Sequence, residues 1–449
     1  MSGTGDSLFD PAPFRGEAGS TSTSPIPAAE DGVPRLRTAD RRQIVMSMRC
    51  LDDALPPEHV ARLIWSYVAS LDLSPLLTRI QSVEGHAGRD ATDPRILIAL
   101  WLYATVEGIS SARELARLCE SHDAFRWMAG GVSLNHHTLS DFRVRHEAFL
   151  DELLTRSVAA LMHEGLVDLN RVTQDGVRVR ASAGSKTFRR RPALNNCLNE
   201  ARQQVEKLKQ EAQDESAAAA ASRRKQAARE RSVEERQRRL MRALEELERI
   251  EAKRRKDQKK PARCSTTDPE ARMMKLACGG FRPAYNVQFA TDVSSGMVVG
   301  VDAVQAGSDK GQMGPMYDQI ERRYSRVPQA YLADGDFQSA EDIDRLSAAG
   351  TEVSVPLLTW KTWDQTPGAP GPNDTPAMAE VRRRMASEEG KAIYRQRAST
   401  AEWVNAQCRN RGLQQFLVRG IAKVRCVAYW HALTHNLLRM IGLGVLRPA

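Results

Sequence analysis

The chain has 449 residues and a formal net charge of +9, with the charged and apolar fractions of a folded protein, and is long enough for about two or three domains. That balance argues against an acidic small molecule as the main partner and points to a polyanion, nucleic acid first. Seven scattered cysteines, none in a Cys-x-x-Cys pair, argue against a structural zinc site or a disulfide framework and fit a reducing cytosol.

Residues 1–34 are rich in Ser, Gly, Pro and Thr, lack an apolar signal core and read as a disordered leader. Residues 35–164 read as an all-helical domain, with apolar residues at three and four spacing in "RILIALWLYATVEG" and "ARELARL". Ser111 with Glu114 fits a capping box, and Gly130–Gly131 ends the helix carrying "AFRWMAG". The Arg-rich "SDFRVRHEAFLDELL" leaves two readings open. One is a helix-turn-helix DNA reader whose exposed Arg143 and Arg145 touch phosphates. The other, which spacing alone favours, is a small bundle with a solvated basic face.

The period changes at Leu166, where "LVDLNRVTQDGVRVRAS" alternates and is rich in β-branched residues. A strand-containing domain is therefore expected over 165–197 and 261–445. A charged helical insertion, 198–260, interrupts it with a stripe of Leu240, Leu244, Leu247 and Ile250. A paired-helix or coiled-coil arm is expected there, a plain spacer or a DNA-contacting element with equal weight. "AYNVQFATDVSSGMVVGVDAVQAG" reads as a hairpin turning at Asp292–Gly296. A helix over Asp309–Tyr324, the apolar "AYLAD", a helix opened by Ser339 and the strand "TEVSVPL" follow. The Pro- and Gly-rich "TPGAPGPNDTP" marks 361–385 as a flexible loop. The remainder is helical, stopping once at Gly412. No apolar run has the length of a membrane span.

Three carboxylates stand out. Asp175 lies at the end of the run "RVTQDG", where a strand would stop, although a lone Asp-Gly is more often a turn. Asp334 ends "AYLAD" just before a helix, where sheet proteins place their sites, with Asp336 as a competing ligand. Glu402 falls three residues after Ser399, which also suits a capping box. Arg409 is seven residues beyond Glu402 and shares its helical face, so the pair suits a metal ligand and a phosphate contact. Oxygen ligands of this kind suit Mg²⁺, and two such ions about 4 Å apart activate an attacking hydroxyl and stabilise a leaving one.

The blocks around these residues resemble the DDE transposases of bacterial insertion sequences. "QDGVRVRASAG" is similar to the family's first block, of the form "DGTKIRA", and gives Asp175 the first role; "ADGDFQS" is similar to "ADKGYDS", assigning Asp334 and leaving Asp336 outside. The third block, a Tyr, an Arg, the catalytic Glu and a Lys seven residues on, falls on Tyr394, Arg397, Glu402 and Arg409. "STTDPEARMMK", "RPAYNVQFATD" and the N-terminal helical stretch resemble one branch of these enzymes, so the likeness runs over about 35–440. Arg409 replaces the usual Lys, Ala284 a common Gly, and Trp403 a smaller residue, while one extra residue separates Arg397 from Glu402.

The resemblance implies an α/β fold with a ribonuclease-H-like mixed sheet flanked by helices. It implies two Mg²⁺ ions, replaceable by Mn²⁺, on Asp175, Asp334 and Glu402. DNA contacts from Arg178, Arg180, Tyr394, Arg397 and Arg409 join those of Arg143 and Arg145, and paired end cutting implies a homodimer on DNA in the cytosol, without a membrane. The competing readings are a catalytically inactive, transposase-derived DNA-binding protein, a general metal nuclease and a structural coiled coil.

Overall fold

A computed structural model describes residues 48, 50–83, 85, 90–214, 220–253, 261–358 and 366–446. The leader over 1–34 and the start of the helical region lie outside them. Seven helices come first: α1 (Val60–Ala69), α2 (Ser74–Leu77), α3 (Pro94–Val106), α4 (Ala112–Ser121), α5 (Asp123–Ala129), α6 (His136–Arg145) and α7 (Glu147–His163). Local chemistry sets their ends. Asp93 caps α3 by accepting from Arg95 N at 2.8 Å with Pro94 in the first turn, and Ser111 caps α4 by accepting from Glu114 N at 3.4 Å. Gly130, with φ of 59°, ends α5. Helix α3 is buried on every side from Ile96 to Thr105, which makes it the centre of this region.

The strand β1 (Arg171–Arg180) then opens a sheet completed by β4 (Arg272–Lys275), β5 (Phe281–Asp292), β6 (Val298–Val304), β7 (Ala330–Leu332) and β8 (Glu352–Ser354). A separate ribbon pairs β2 (Phe188–Arg189) with β3 (Cys264–Ser265). The six-stranded sheet runs β4-β5-β1-β7-β8, with β6 also on β5. Strands β1, β7 and β8 are parallel, while β5 is antiparallel to β1, β4 and β6. Helices α10 (Met313–Tyr324) and α11 (Ala340–Ala348) make the two crossovers, α11 capped by Ser339 as its sequence implies. The mixed α/β architecture is consistent with the ribonuclease-H-like fold that the resemblance implies. The hairpin turns between Asp292 and Val298, as expected, whereas α10 starts at Met313 rather than at Asp309.

The insertion is a pair of helices, α8 (Arg191–Asp214) and α9 (Ala220–Ala252), beginning before residue 198. Leu194, Leu198, Leu240 and Leu247 give it a small core of its own. The chain ends in α12 (Pro376–Ala386), α13 (Glu388–Arg397), a π-helical turn (Ala398–Glu402), α14 (Trp403–Asn410) and α15 (Ile421–Gly442). Helix α15 packs on α3, α6, α7 and β6, so the N-terminal helices and the sheet share one apolar core. Its N-terminus is held by the "STTDPEARMMK" block: Gly420 N donates to Asp268 Oδ1 at 3.2 Å and Ile421 N to Glu270 Oε2 at 3.1 Å.

The flexible loop expected over 361–385 is corrected from Pro376 onward, where α12 begins; 361–365 lie outside the described residues. Thr375 caps α12 through Met378 N at 3.2 Å, Pro376 fills its first turn, and Asp374 forms a buried ion pair with Arg382. Proline marks a helix start here rather than a loop.

Candidate functional site

Asp175 sits in the middle of β1, not at its end. The strand continues because β5 pairs with it from Val172 to Arg180, with Asp175 opposite Phe289 and Gly176 opposite Gln288. The parallel partner β7 stops earlier, pairing only with Arg171 to Thr173. Asp175 therefore lies just past the end of the parallel ladder, the place where such sheets open a crevice. Gly176 is needed for close approach, not for a turn. A Cβ there would meet Asp309 Oδ1 at 2.3 Å and Gln288 Nε2 at 2.5 Å.

Successive strand residues face opposite sides, so Asp175 and Arg178 point apart. On the Gly176 and Arg178 side lies a buried polar network that sequence reasoning misses. Asn286 Nδ2 and Gln288 Nε2 each donate to Asp309 Oδ1 at 2.6 Å, and Arg178 Nη2 donates to Asp309 Oδ2 at 3.0 Å. Gln174 Nε2 donates to Gln288 Oε1 at 2.9 Å and Tyr331 Oη to Gln174 Oε1 at 2.6 Å. The amides of Asn286 and Gln288 alternate in "AYNVQFATD", which is the signal that could disclose it. Arg178, expected on DNA, is thus engaged by Asp309 on the face away from Asp175.

On the other side, Asp175 Oδ2 accepts from Asn405 Nδ2 in α14 at 2.9 Å, and Oδ1 accepts from Gly176 N at 2.9 Å. Asp334 follows β7 and holds its loop by accepting from Asp336 N at 2.9 Å through Oδ1; Asp336 itself is exposed. Burial pushes the Asp175 carboxyl up to about 6, Arg397 pulls it back and Asp334 raises it further. Burial likewise raises Asp334, with Arg397 opposing and Asp309 adding to the rise. The two aspartates are within electrostatic reach of one another and of one arginine.

That arginine links the third carboxylate. Arg397 Nη1 lies 3.9 Å from Asp175 Oδ2, and Nη2 donates to Glu402 Oε1 at 3.1 Å. Residues five apart in an α-helix point about 140° apart, which precludes this contact. The π-helical turn Ala398–Glu402 removes the difficulty: it absorbs the extra residue between Arg397 and Glu402 and returns both to one face. The same continuity overturns the capping-box reading of Glu402. Ser399 caps nothing; its Oγ donates to Gln396 O at 3.0 Å inside the helical run.

Glu402, Ala406 and Arg409 form the exposed face of this helix, as the spacing predicts. Tyr394 lies under Arg397, whose Cζ is 5.9 Å from the ring centre. Arg180 is exposed at the end of β1, where its backbone N donates to Gln414 O at 3.2 Å just beyond α14. Arg145 is exposed and paired with Asp141 at 2.7 Å. Arg143, expected to be exposed, is not. It is buried, donates to Ser110 O, and lies 4.8 Å over the Trp101 ring, with burial holding its guanidinium down at about 10. It packs α6 against α3 and does not face solvent.

The donor set suits a hard divalent cation, being oxygen only and carrying repelling charge on the half-buried Asp175 and Asp334. Among the described residues, no three acidic, imidazole or thiol side chains are already gathered for an ion. Glu402 is drawn to Arg397 instead, and with its side chain 57% exposed it has room to turn. All three side chains are carboxylates, the donor chemistry such an ion takes.

Two family matches fall on these elements. Residues 49–145 match the Transposase domain (DUF772), covering α1 to α6, and residues 372–441 match the Transposase DDE domain, covering Tyr394, Arg397, Glu402, Asn405 and Arg409. Asp175 and Asp334 lie between the matched segments. No curated protein matches the chain. The two matches, in order along one chain, support an insertion-sequence DDE transposase.

Proposed function

We propose that this transposase binds the ends of its insertion sequence, cuts them and joins the freed 3′-hydroxyls to target DNA. The reading is supported by Arg397, which lies 3.9 Å from Asp175 Oδ2 and pairs with Glu402, and by Asp334, which follows β7 within electrostatic reach of the same arginine. Asp175, Asp334 and Glu402 would hold two Mg²⁺ ions, or Mn²⁺ in their place. Bound there, the ions supply an activated water or 3′-hydroxyl and neutralise the leaving oxygen. Asp175 enters ligation prepositioned, because both of its oxygens already accept hydrogen bonds from fixed donors. Arg397, freed from Glu402, and Arg409 on the same exposed face contact the phosphates flanking the cut, with Tyr394, Arg180 and Arg145 extending that surface. Arg178 and Arg143 take no part in it. Cutting two ends needs two such centres, so a homodimer assembles on DNA, within the cytosol.

The test is cleavage and joining of a labelled element end by the full chain, with Mg²⁺ and with chelator. Asp175→Ala, Asp334→Ala and Glu402→Ala should each bind the end and fail to cut it. Cutting by any of the three overturns the assignment. End binding without any cutting by the unaltered chain would make it a DNA-binding derivative, and cutting without joining a metal nuclease.

A further inference from the structure

Asn405 occupies an unusual place. Helix α14 buries Val404 and Cys408, and the turn before it buries Ala401, so position 405 falls within an apolar stripe where leucine would serve packing better. Asn405 is 4% exposed. Its Nδ2 donates to Asp175 Oδ2 at 2.9 Å, and among the described residues its buried Oδ1 has no hydrogen-bond partner. A buried amide satisfied on one side only is a net cost to the fold, so its presence calls for a purpose beyond packing.

We propose that Asn405 is a positioning residue, whose amide fixes the Asp175 carboxylate in the orientation needed to ligate a divalent cation. The proposal rests on the metal-dependent reading above. Asp175 Oδ1 is held by the backbone of Gly176, which leaves Oδ2 as the oxygen whose direction a side chain must set. Arg397 approaches the same oxygen only at 3.9 Å, outside hydrogen-bond range. Asn405 also stands three residues beyond Glu402 on one helical run, so a single element carries the third carboxylate and the clamp for the first. Any shift of α14 therefore moves both together. Groups that orient a ligating carboxylate in this way typically set metal affinity by about 10- to 100-fold.

The experiment is calorimetric titration of Mn²⁺ into the full chain without DNA, for the unaltered protein, Asn405→Leu, Asn405→Ala and Asp175→Ala. Leucine keeps the volume and removes the donor; alanine is the second variant should leucine overpack. Circular dichroism confirms the fold of each. The expected result is a Mn²⁺ dissociation constant raised about 10-fold or more in both Asn405 variants, with binding lost in Asp175→Ala. Asn405→Leu or Asn405→Ala binding Mn²⁺ as the unaltered chain does overturns the positioning role while leaving the metal reading intact. Asp175→Ala binding as the unaltered chain does overturns the metal reading itself.

Discussion

Asp175→Asn should make the metal-free protein more stable while removing its activity. The Asp175 carboxyl is raised by burial from 3.8 to about 6 in the folded chain. A raised folded value means that the fold prefers the protonated acid. Below the unfolded value both states are protonated and nothing is lost; stability falls as pH rises through the interval, and the full cost is present above about 6. A gap of about two units corresponds to roughly 3 kcal/mol at pH 7.5, about half of it at pH 5 and little at pH 4. Asparagine mimics the protonated acid, and Asn405 Oδ1, which has no partner among the described residues, offers its amide an acceptor. At about 2.1 cal/mol/K per residue, over the compact unit Arg49–Ala449, the melting midpoint should rise by about 3 °C at pH 7.5. Thermal melts in chelator at pH 5 and 7.5 measure it. A variant that melts at or below the unaltered protein at pH 7.5, or that gains equally at both pH values, would show that burial of the Asp175 charge does not cost the fold stability.

Two further outcomes follow from the helical run and from α6. Deleting Ser399 should convert the π turn to α-helix and keep Arg397 beside Glu402 at a spacing of four, so end cleavage should stay within a few-fold; adding an alanine after Ser399 should turn Glu402 by about 100° and abolish it. Cleavage lost in the deletion would show that the turn does more than absorb a residue. Arg143→Ala should destabilise the fold by about 2 kcal/mol or more in denaturant melts and leave the salt dependence of end binding unchanged, whereas Arg145→Ala should lower that slope by about one.

Features set by neighbours in the chain are legible from the amino-acid sequence. The Ser111 and Ser339 caps, the stop at Gly130, the hairpin at Asp292 and the exposed face of Glu402 and Arg409 all depend on residues within about two helical turns. The features that local pattern hides depend on distant partners. Asp175-Gly176 looks like a turn until β5, more than a hundred residues on, pairs straight through it. Arg143 looks solvated until Trp101 of α3 lies beneath it, and Arg178 until Asp309 takes its charge. The segment from Pro376 misleads for a different reason: Thr375-Pro376 is a helix-start signal that closes a Pro- and Gly-rich stretch. Ser399 and Glu402 match a capping box in spacing, yet the backbone is already helical from Glu388 and has no free N–H groups there to cap.

The proposed metal centre requires Asp175, Asp334 and Glu402 together. Anomalous diffraction from crystals of the full chain bound to an end DNA and grown with Mn²⁺ tests it most directly. Manganese peaks ligated by all three carboxylates, with Arg397 turned from Glu402 to a phosphate, are the expected result. Manganese absent from Asp175 and Asp334, or Glu402 still paired with Arg397 in a metal-loaded centre, would contradict it.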